Sequence, residues 1–199
     1  MKKLVALLLI LVFALSLAAS AEMPLSHYTH PTKGYSHVYP TEWLTLDPES
    51  IGALLEGVSA DNAYAHIDLN AYAEQIRTSD MSMFINPNGD NFNVVSLNIG
   101  MPYTAQQLVE LLMPSLVEQM AAIMNGAEFM VEGDVCKFGD NEYAYVLYNW
   151  NGILGAQYCI CESGTLYYIT LTSNQVNDTW AYLEIQKMFE KVLASFEEK

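Results

Sequence analysis

The stretch NEYAYVLYNWNGILGAQYCICESGTLYYITLTS, residues 141–173, places two short turn sequences between runs of aromatic and aliphatic residues. Asn151-Gly152 is a pair that two-residue hairpin turns favour, and Ser163-Gly164 marks a second turn. Pairing the chain outward from these turns predicts one apolar face that must be buried. The members of that face are Tyr143, Tyr145, Leu147, Leu154, Ala156, Tyr158, Ile160, Tyr167, Ile169 and Leu171.

The register that these turns set is specific. It places Tyr145 opposite Tyr158, and Ile160 opposite Tyr167. A further strand, starting at Ala127, joins the stretch through a turn at residues 139–141. Residues 127–173 are therefore predicted to form a four-strand meander.

The segment before the meander predicts short strands followed by helices. Residues 35–39 are β-prone and stop at Pro40, and residues 43–46 form a second short run. Asp47-Pro48-Glu49 is typical of a helix start, with a cap, a proline at the first helical position and an acid in the first turn. That helix is predicted to end at Gly57.

A second helix is predicted from Tyr64 to the region of residues 77–80. Residues 81–85 and 93–99 then form a predicted β-hairpin across NPNGDN, residues 86–91, because Asn-Pro and Asn-Gly favour turns. The same segment lacks the acidic spacing and the closing glutamate of a calcium loop, so we interpret it as a turn.

Two amphipathic helices complete the pattern. Thr104 and Gln107 form a predicted capping box, and Pro114 predicts a kink in the helix that follows. The apolar stripe of that helix comprises Leu108, Leu111, Leu112, Leu116, Met120 and Ile123, while Met113, Met120 and Met124 are interpreted as core filler. The last helix opens at Asn177 or Asp178, and its stripe comprises Ile185, Met188, Phe189, Val192, Leu193 and Phe196. We therefore predict a single α+β domain with helices packed on an antiparallel sheet.

The first 21 residues have the parts of an export signal. Lys2 and Lys3 give a positive start, residues 4–17 are apolar and uncharged, and Ala19-Ser20-Ala21 suits a signal peptidase. We expect a mature domain of residues 22–199, secreted or held in the cell envelope. An uncleaved anchor is the alternative, although the apolar run is barely long enough to span a bilayer.

The composition is strongly acidic, with 8 Lys and Arg residues against 23 Asp and Glu residues and a formal charge of −15. Loss of Lys2 and Lys3 with the signal would bring the charge near −17. Such a surface repels phosphate backbones and anionic lipids. We therefore expect no nucleic-acid partner, no membrane binding after signal cleavage, and a protein or small ligand of unknown identity as partner.

Several short motifs, taken in order, resemble the PsbP-like fold family. They are Gly34-Tyr35-Ser36, Tyr39-Pro40, Trp43, the hairpin sequence Asn91-Phe92-Asn93-Val94-Val95 and the closing Leu193-Ala194-Ser195-Phe196. With the long helix and the meander between them, they look like an exported bacterial member of that family. The resemblance implies an α/β/α sandwich that serves as a non-catalytic binding or assembly module, without catalytic residues. Relative to compact members, residues 48–80 would be a helical insertion.

Three of the four histidines, His27, His30 and His37, lie within eleven residues. Three imidazoles can bind zinc or copper if they converge. The resemblance places His37 on the first strand, and we expect His27 and His30 in a flexible leader just past the cleavage site. Two mobile side chains and one fixed side chain do not make a preformed site, so no metal ligand is assigned.

The three cysteines are expected to be free thiols. Cys159 and Cys161 share one face of a predicted strand, and a three-residue turn at 139–141 would put Cys136 on that face whereas a two-residue turn would not. Two strand spacings amount to about 9.5 Å, which exceeds the limit of about 7 Å between the Cα atoms of a disulfide. A different strand order would permit a bridge. A thiol nucleophile needs an adjacent base, and only His66 lies outside the N-terminal region, so cysteine catalysis is not expected.

Motifs of serine hydrolases, zinc proteases and nucleotide-binding proteins do not occur after residue 21. Two hypotheses remain. We favour an exported, non-catalytic binding or accessory module of the cell envelope that holds its ligand in an aromatic-lined groove or along a sheet edge. The alternative is an extracytoplasmic hydrolase, whose site would be a cluster of polar residues with perturbed ionisation in one cleft. No catalytic or cofactor-binding residue is assigned.

Overall fold

The computed structural model describes residues 23–52, 69–79, 81–174 and 179–198. The strands are β1 (Leu25–Thr29), β2 (Tyr35–Pro40), β3 (Leu44–Leu46), β4 (Ser82–Ile85), β5 (Asn91–Asn98), β6 (Glu128–Phe138), β7 (Asn141–Trp150), β8 (Ile153–Glu162), β9 (Thr165–Ser173) and β10 (Glu197–Glu198). The helices are α1 (Leu69–Ser79), α2 (Ala105–Leu111), α3 (Met113–Ile123) and α4 (Thr179–Ala194). Among the described residues, no helix is both long enough and apolar enough to span a bilayer.

The strands form two antiparallel sheets. The larger has the order β3-β4-β5-β9-β8-β7-β6, and the smaller has the order β1-β2-β10. Helices α2 and α3 pack on one face of the larger sheet, whereas α4 and the smaller sheet cover the other face. Helix α1 packs through Ala73 and Ile76 against β3 and β4. The predicted single α+β domain with helices on an antiparallel sheet is confirmed.

The meander has the predicted register, with Tyr145 paired to Tyr158 and Ile160 paired to Tyr167. Asn151 has a φ angle of 53° and Gly152 one of 82°, which is the left-handed backbone that this kind of tight turn requires. The opposite face is buried as well, since Ala144 and Val146 pack beneath α2 and α3. The meander is thus covered by α2 and α3 on one face and, in part, by α4 and the smaller sheet on the other.

The burial of the predicted apolar face is uneven. Tyr143 and Tyr167 are fully buried under α4, whereas Tyr145, Leu147 and Tyr158 are only half-buried. The prediction that the whole face is buried is therefore correct only for the part that α4 and the smaller sheet cover. The remainder borders the groove described below.

The capping box at Thr104 is confirmed, because its hydroxyl accepts from the Gln107 N–H while the Gln107 side chain accepts from the Thr104 N–H. The helix is interrupted at Leu112, with Pro114 in the first turn of α3, as the kink prediction requires. Two members of the predicted stripe are wrong: Leu111 is 68% exposed and Ile123 is 80% exposed. The buried residues are Ala105 and Leu108 on α2, and Met113 and Met120 on α3.

The hairpin of β4 and β5 is confirmed, with Ile85 paired to Asn91 across the predicted turn. The Asp47 cap is also present, since its carboxylate accepts from the N–H groups of Glu49 and Ser50. Residues 53–68 and 175–178 lie outside the described part of the chain. These ranges contain the predicted end of the first helix at Gly57, the predicted start of the second at Tyr64, and the predicted opening of the last helix at residues 177–178. The predicted export signal, residues 1–21, also lies outside the described part of the chain.

The stripe predicted for the last helix is buried as expected. Val192 and Leu193 are buried on α4, and Phe196 follows the helix into the same core. Phe196 stacks on Tyr35, with ring centroids 5.7 Å apart, and meets Tyr167 edge-on at 5.0 Å. The closing segment therefore joins the two sheets.

Candidate functional site

The N-terminal histidines do not lie in a flexible leader, and that prediction is wrong. Strand β1 pairs with β2 along its whole length, so that Tyr28 lies opposite His37. His27 is exposed on β1, but His30 is 2% exposed and His37 is 0% exposed. Tyr28 anchors β1 to the core through an edge-on contact with Phe84 at 5.0 Å. Backbone pairing and this aromatic contact give β1 enough buried surface to be ordered.

His37 is a neutral core residue. Its ring lies 4.9 Å from Phe84 and 5.4 Å from Phe92, both in edge-on contacts. Burial is the main cause that lowers its pKa to about 4, and the contact of Nδ1 with the carbonyl oxygen of Val38 at 3.0 Å opposes it. Because that carbonyl can only accept, Nδ1 carries the proton and Nε2 carries the lone pair. The Nε2 atom is buried with no hydrogen-bond partner among the described residues.

His30 holds the turn between β1 and β2. Its Nδ1 accepts from the backbone N–H groups of Thr32 at 3.3 Å and Lys33 at 3.2 Å. Both buried histidines therefore serve the fold. Within the described ranges, no group of three or more His, Cys, Asp or Glu side chains is arranged to hold a metal ion.

The cysteines are separated by the sheet itself. The turn between β6 and β7 has two residues, so Cys136 pairs with Tyr143 and faces away from Cys159 and Cys161. All three are free thiols. Burial raises the pKa of Cys136 to about 11 and that of Cys159 to about 12. Both thiols stay protonated at neutral pH, which argues against a nucleophilic role.

The NPNGDN segment is a locked turn. The buried Asp90 carboxylate accepts from the side chains of Asn86 at 2.9 Å and Ser173 at 3.0 Å, and from the N–H of Asn174 at 2.9 Å. Its oxygens face protein donors. This arrangement ties the β4–β5 turn to the end of β9 and supports the turn interpretation over a calcium loop.

A groove lies beside α4, over the half-buried part of the meander. We call it the α4 groove; its lining includes Phe138, Leu147, Leu154, Ala156, Tyr158, Ile185 and Phe189. Its volume is about 150 Å³. Tyr145 stacks on Tyr158 at the border, with ring centroids 5.8 Å apart and planes at 19°. Sequence reasoning found the residues of this face but not the groove, because the groove depends on how far α4 reaches across the sheet.

The sheet edge is a poorer candidate. Strand β6 is the edge strand of the meander, and its register shifts between Phe129 and Val131 and again before Asp134. Its exposed positions include Glu128, Glu132 and Asp134. Bulges and charges on an edge strand hinder the addition of another strand. Of the two predicted binding modes, the groove is better supported.

The layers, the strand order and the closing segment define the class of fold: the chain has the PsbP-like fold, an α/β/α sandwich. Similar solved structures include the solution structure of cyanobacterial PsbP (CyanoP) from Synechocystis sp. PCC 6803. It matches with a TM-score of 0.56 and 15% identity, over 91% of this chain and 96% of that chain. The fold that the motifs from Gly34 to Phe196 implied is thereby confirmed.

A crystal structure of a protein from Bacteroides thetaiotaomicron also matches, with a TM-score of 0.47 and 13% identity, over 87% of this chain and 48% of that chain. Neither a protein-family model nor a curated protein matches the sequence. The likeness therefore concerns the fold alone.

Proposed function

We propose that this protein is a non-catalytic binding or accessory module that holds an apolar side chain of a protein partner in the α4 groove. The observation that carries the proposal is the incomplete cover of the apolar face. Ala156 and Tyr158 pack against the core and line the groove, yet both are only half-buried. Aromatic side chains that offer an apolar body and a hydroxyl tip are common at protein interfaces.

The size of the groove supports a side chain as occupant. Small-molecule sites typically measure about 300–1,000 Å³, whereas this groove measures about 150 Å³. A cavity of that size accommodates one ring or branched aliphatic group, as engineered cavities of similar volume bind benzene. Apolar anchors seated in such pockets often contribute most of the affinity of an interface.

A hydrolase is less well supported. The side chains with shifted pKa values are His37 together with several tyrosines and two cysteines, and burial is the first cause in every case. The polar residues that line the groove are Ser173, Gln186 and Glu190. The Ser173 hydroxyl is held by the buried Asp90 carboxylate of the β4–β5 turn, and the described lining of the groove contains no histidine that could serve as a base for acyl transfer.

The location of the protein is part of the proposal. The composition of residues 1–21 supports export, and the formal charge of −15 supports a protein that stays apart from anionic surfaces. We infer that the mature chain acts outside the cytoplasm, in the cell envelope or after secretion.

Selection from a displayed library of random peptides tests the binding proposal. We expect enriched peptides to share one aromatic or aliphatic anchor, and we expect Ala156→Phe, which fills the groove, to abolish their binding. Leu97→Phe is the matched control, because Leu97 is 51% exposed on β5 and lies outside the groove.

Equal binding to the two variants would contradict the proposal. Enrichment of no peptide, together with small-molecule hits in a thermal-shift screen that Ala156→Phe removes, would assign the groove to a small ligand instead.

A further inference from the structure

We infer that a second cleft, on the other flank of α4, binds small organic polyanions that carry two or more carboxylate or phosphate groups. This cleft has a volume of about 510 Å³ and lies between α4, the turn after β6 and the start of β1. Lys137 enters from the end of β6, while Lys187 and Lys191 enter from α4. We call it the lysine cleft.

The lysine cleft concentrates positive charge in an acidic protein. The whole chain has 8 Lys and Arg residues against 23 acidic residues, and three of these basic residues line this one cleft. Glu184 and Glu190 also line it, so the lining carries one net positive charge on a chain of −15. A concave site whose charge is opposite in sign to that of the surrounding surface focuses the electrostatic field and attracts ligands of complementary charge.

Helix stability alone does not account for the cluster. Lysines near the carboxyl end of a helix interact favourably with its dipole, and Lys187 pairs with Glu184 at 3.4 Å. However, Lys137 belongs to the sheet, opposite Glu142 in the β6–β7 pair, where no helix dipole acts on it. Lys187 and Lys191 are four residues apart on one helix face, and the cleft brings Lys137 into the same space. An organic polyanion seated in the cleft would meet all three ammonium groups.

The shape and the lining indicate which anion fits. A volume of about 510 Å³ falls within the range of about 300–1,000 Å³ that is typical of small-molecule sites. Leu25, Phe138 and Met188 add apolar surface beside the lysines, which favours an organic anion over a bare inorganic ion. An acidic protein would have to approach the negative remainder of this chain, whereas a small anion meets mainly the cleft. Lysine ammonium groups bind carboxylates and phosphates as point charges.

Titration calorimetry on the purified protein tests the inference, with citrate and fructose 1,6-bisphosphate as two separate probes. We expect at least one of them to bind, and we expect its affinity to fall as salt is added. The double variant Lys137→Gln/Lys191→Gln should weaken that binding at least tenfold. Arg77→Gln/Lys33→Gln removes the same number of charges outside the cleft and should change the affinity less than twofold. The probe that binds better identifies a carboxylate or a phosphate ligand.

Several results would overturn the inference. They are the absence of heat with both probes at millimolar concentration, an equal loss of affinity in both double variants, inorganic phosphate binding as tightly as the organic probes, and a hexaglutamate peptide binding more tightly than either. The inference does not depend on the α4 groove, so Ala156→Phe should leave anion binding unchanged. The two proposals can therefore fail independently.

Discussion

Acidification should destabilise this protein through His37, because that imidazole is buried in its neutral form. Its pKa is lowered from 6.5 to about 4. In the unfolded chain the same group binds a proton below pH 6.5, so the unfolded state binds more protons than the folded state between these two values. The contribution to stability is therefore fully present above pH 6.5 and is lost as the pH falls through 6.5 toward 4.

The magnitude follows from the size of the shift. One pKa unit corresponds to about 1.4 kcal/mol, so complete protonation would cost about 3 kcal/mol. Between pH 7 and pH 5 the expected loss is about 2 kcal/mol. A domain has about 5–15 kcal/mol in total, which makes this a measurable share.

Urea denaturation at pH 7 and pH 5 measures the effect. We expect the unfolding free energy of the parent to fall by about 2 kcal/mol more than that of His37→Leu, since the carboxylates titrate in both proteins and cancel in the difference. His27→Leu, which changes an exposed histidine on the neighbouring strand, should behave like the parent. If the parent and His37→Leu lose the same stability between these pH values, His37 is not held neutral by burial and its position in the core is wrong.

Three further predictions concern the core, the sheet and the chain start. Phe196→Ala should cost about 3–5 kcal/mol by loss of buried surface and creation of a cavity, whereas Lys187→Ala should change stability by less than about 0.5 kcal/mol; equal denaturation midpoints would mean that the closing segment does not dock. Gly155→Ala should cost about 1–3 kcal/mol, because its Cβ would overlap the ring of Tyr148, and an unchanged melting temperature would count against that contact. Mass spectrometry of the exported protein should find Glu22 as the first residue, and a retained Met1 would rule out cleavage.

The meander could be predicted because its turns are specified locally. Asn151 and Gly152 adopt left-handed backbone by their own preferences, and once they turn, the pairing of Tyr145 with Tyr158 follows. The length of the turn before β7 could not be predicted in this way, because contacts with a distant part of the chain hold Asn141 at the start of that strand. The Asn141 side chain donates to the carbonyl oxygens of Phe196 at 2.7 Å and Leu193 at 3.1 Å, residues more than fifty positions away.

Strand β1 was missed for a related reason. Its sequence, LSHYT, is short and half polar, and Pro24 and Pro31 on either side indicate breaks. What orders it is the pairing with β2 and the contact of Tyr28 with Phe84, which no local pattern reveals. The α4 groove and the lysine cleft belong to the same category, since each forms only where α4 crosses other elements.

The smaller sheet pairs strands that lie far apart in the sequence, and this affects the order in which parts of the fold can form. Strand β2 pairs with β10, and the N–H of Val38 donates to the hydroxyl of Ser195, 157 residues later in the chain. Contacts of such long sequence separation slow folding, because a large loop must close before they form. The smaller sheet cannot be completed before β10 has been synthesised. The closing segment is therefore expected to join the fold after the locally specified hairpins of the meander.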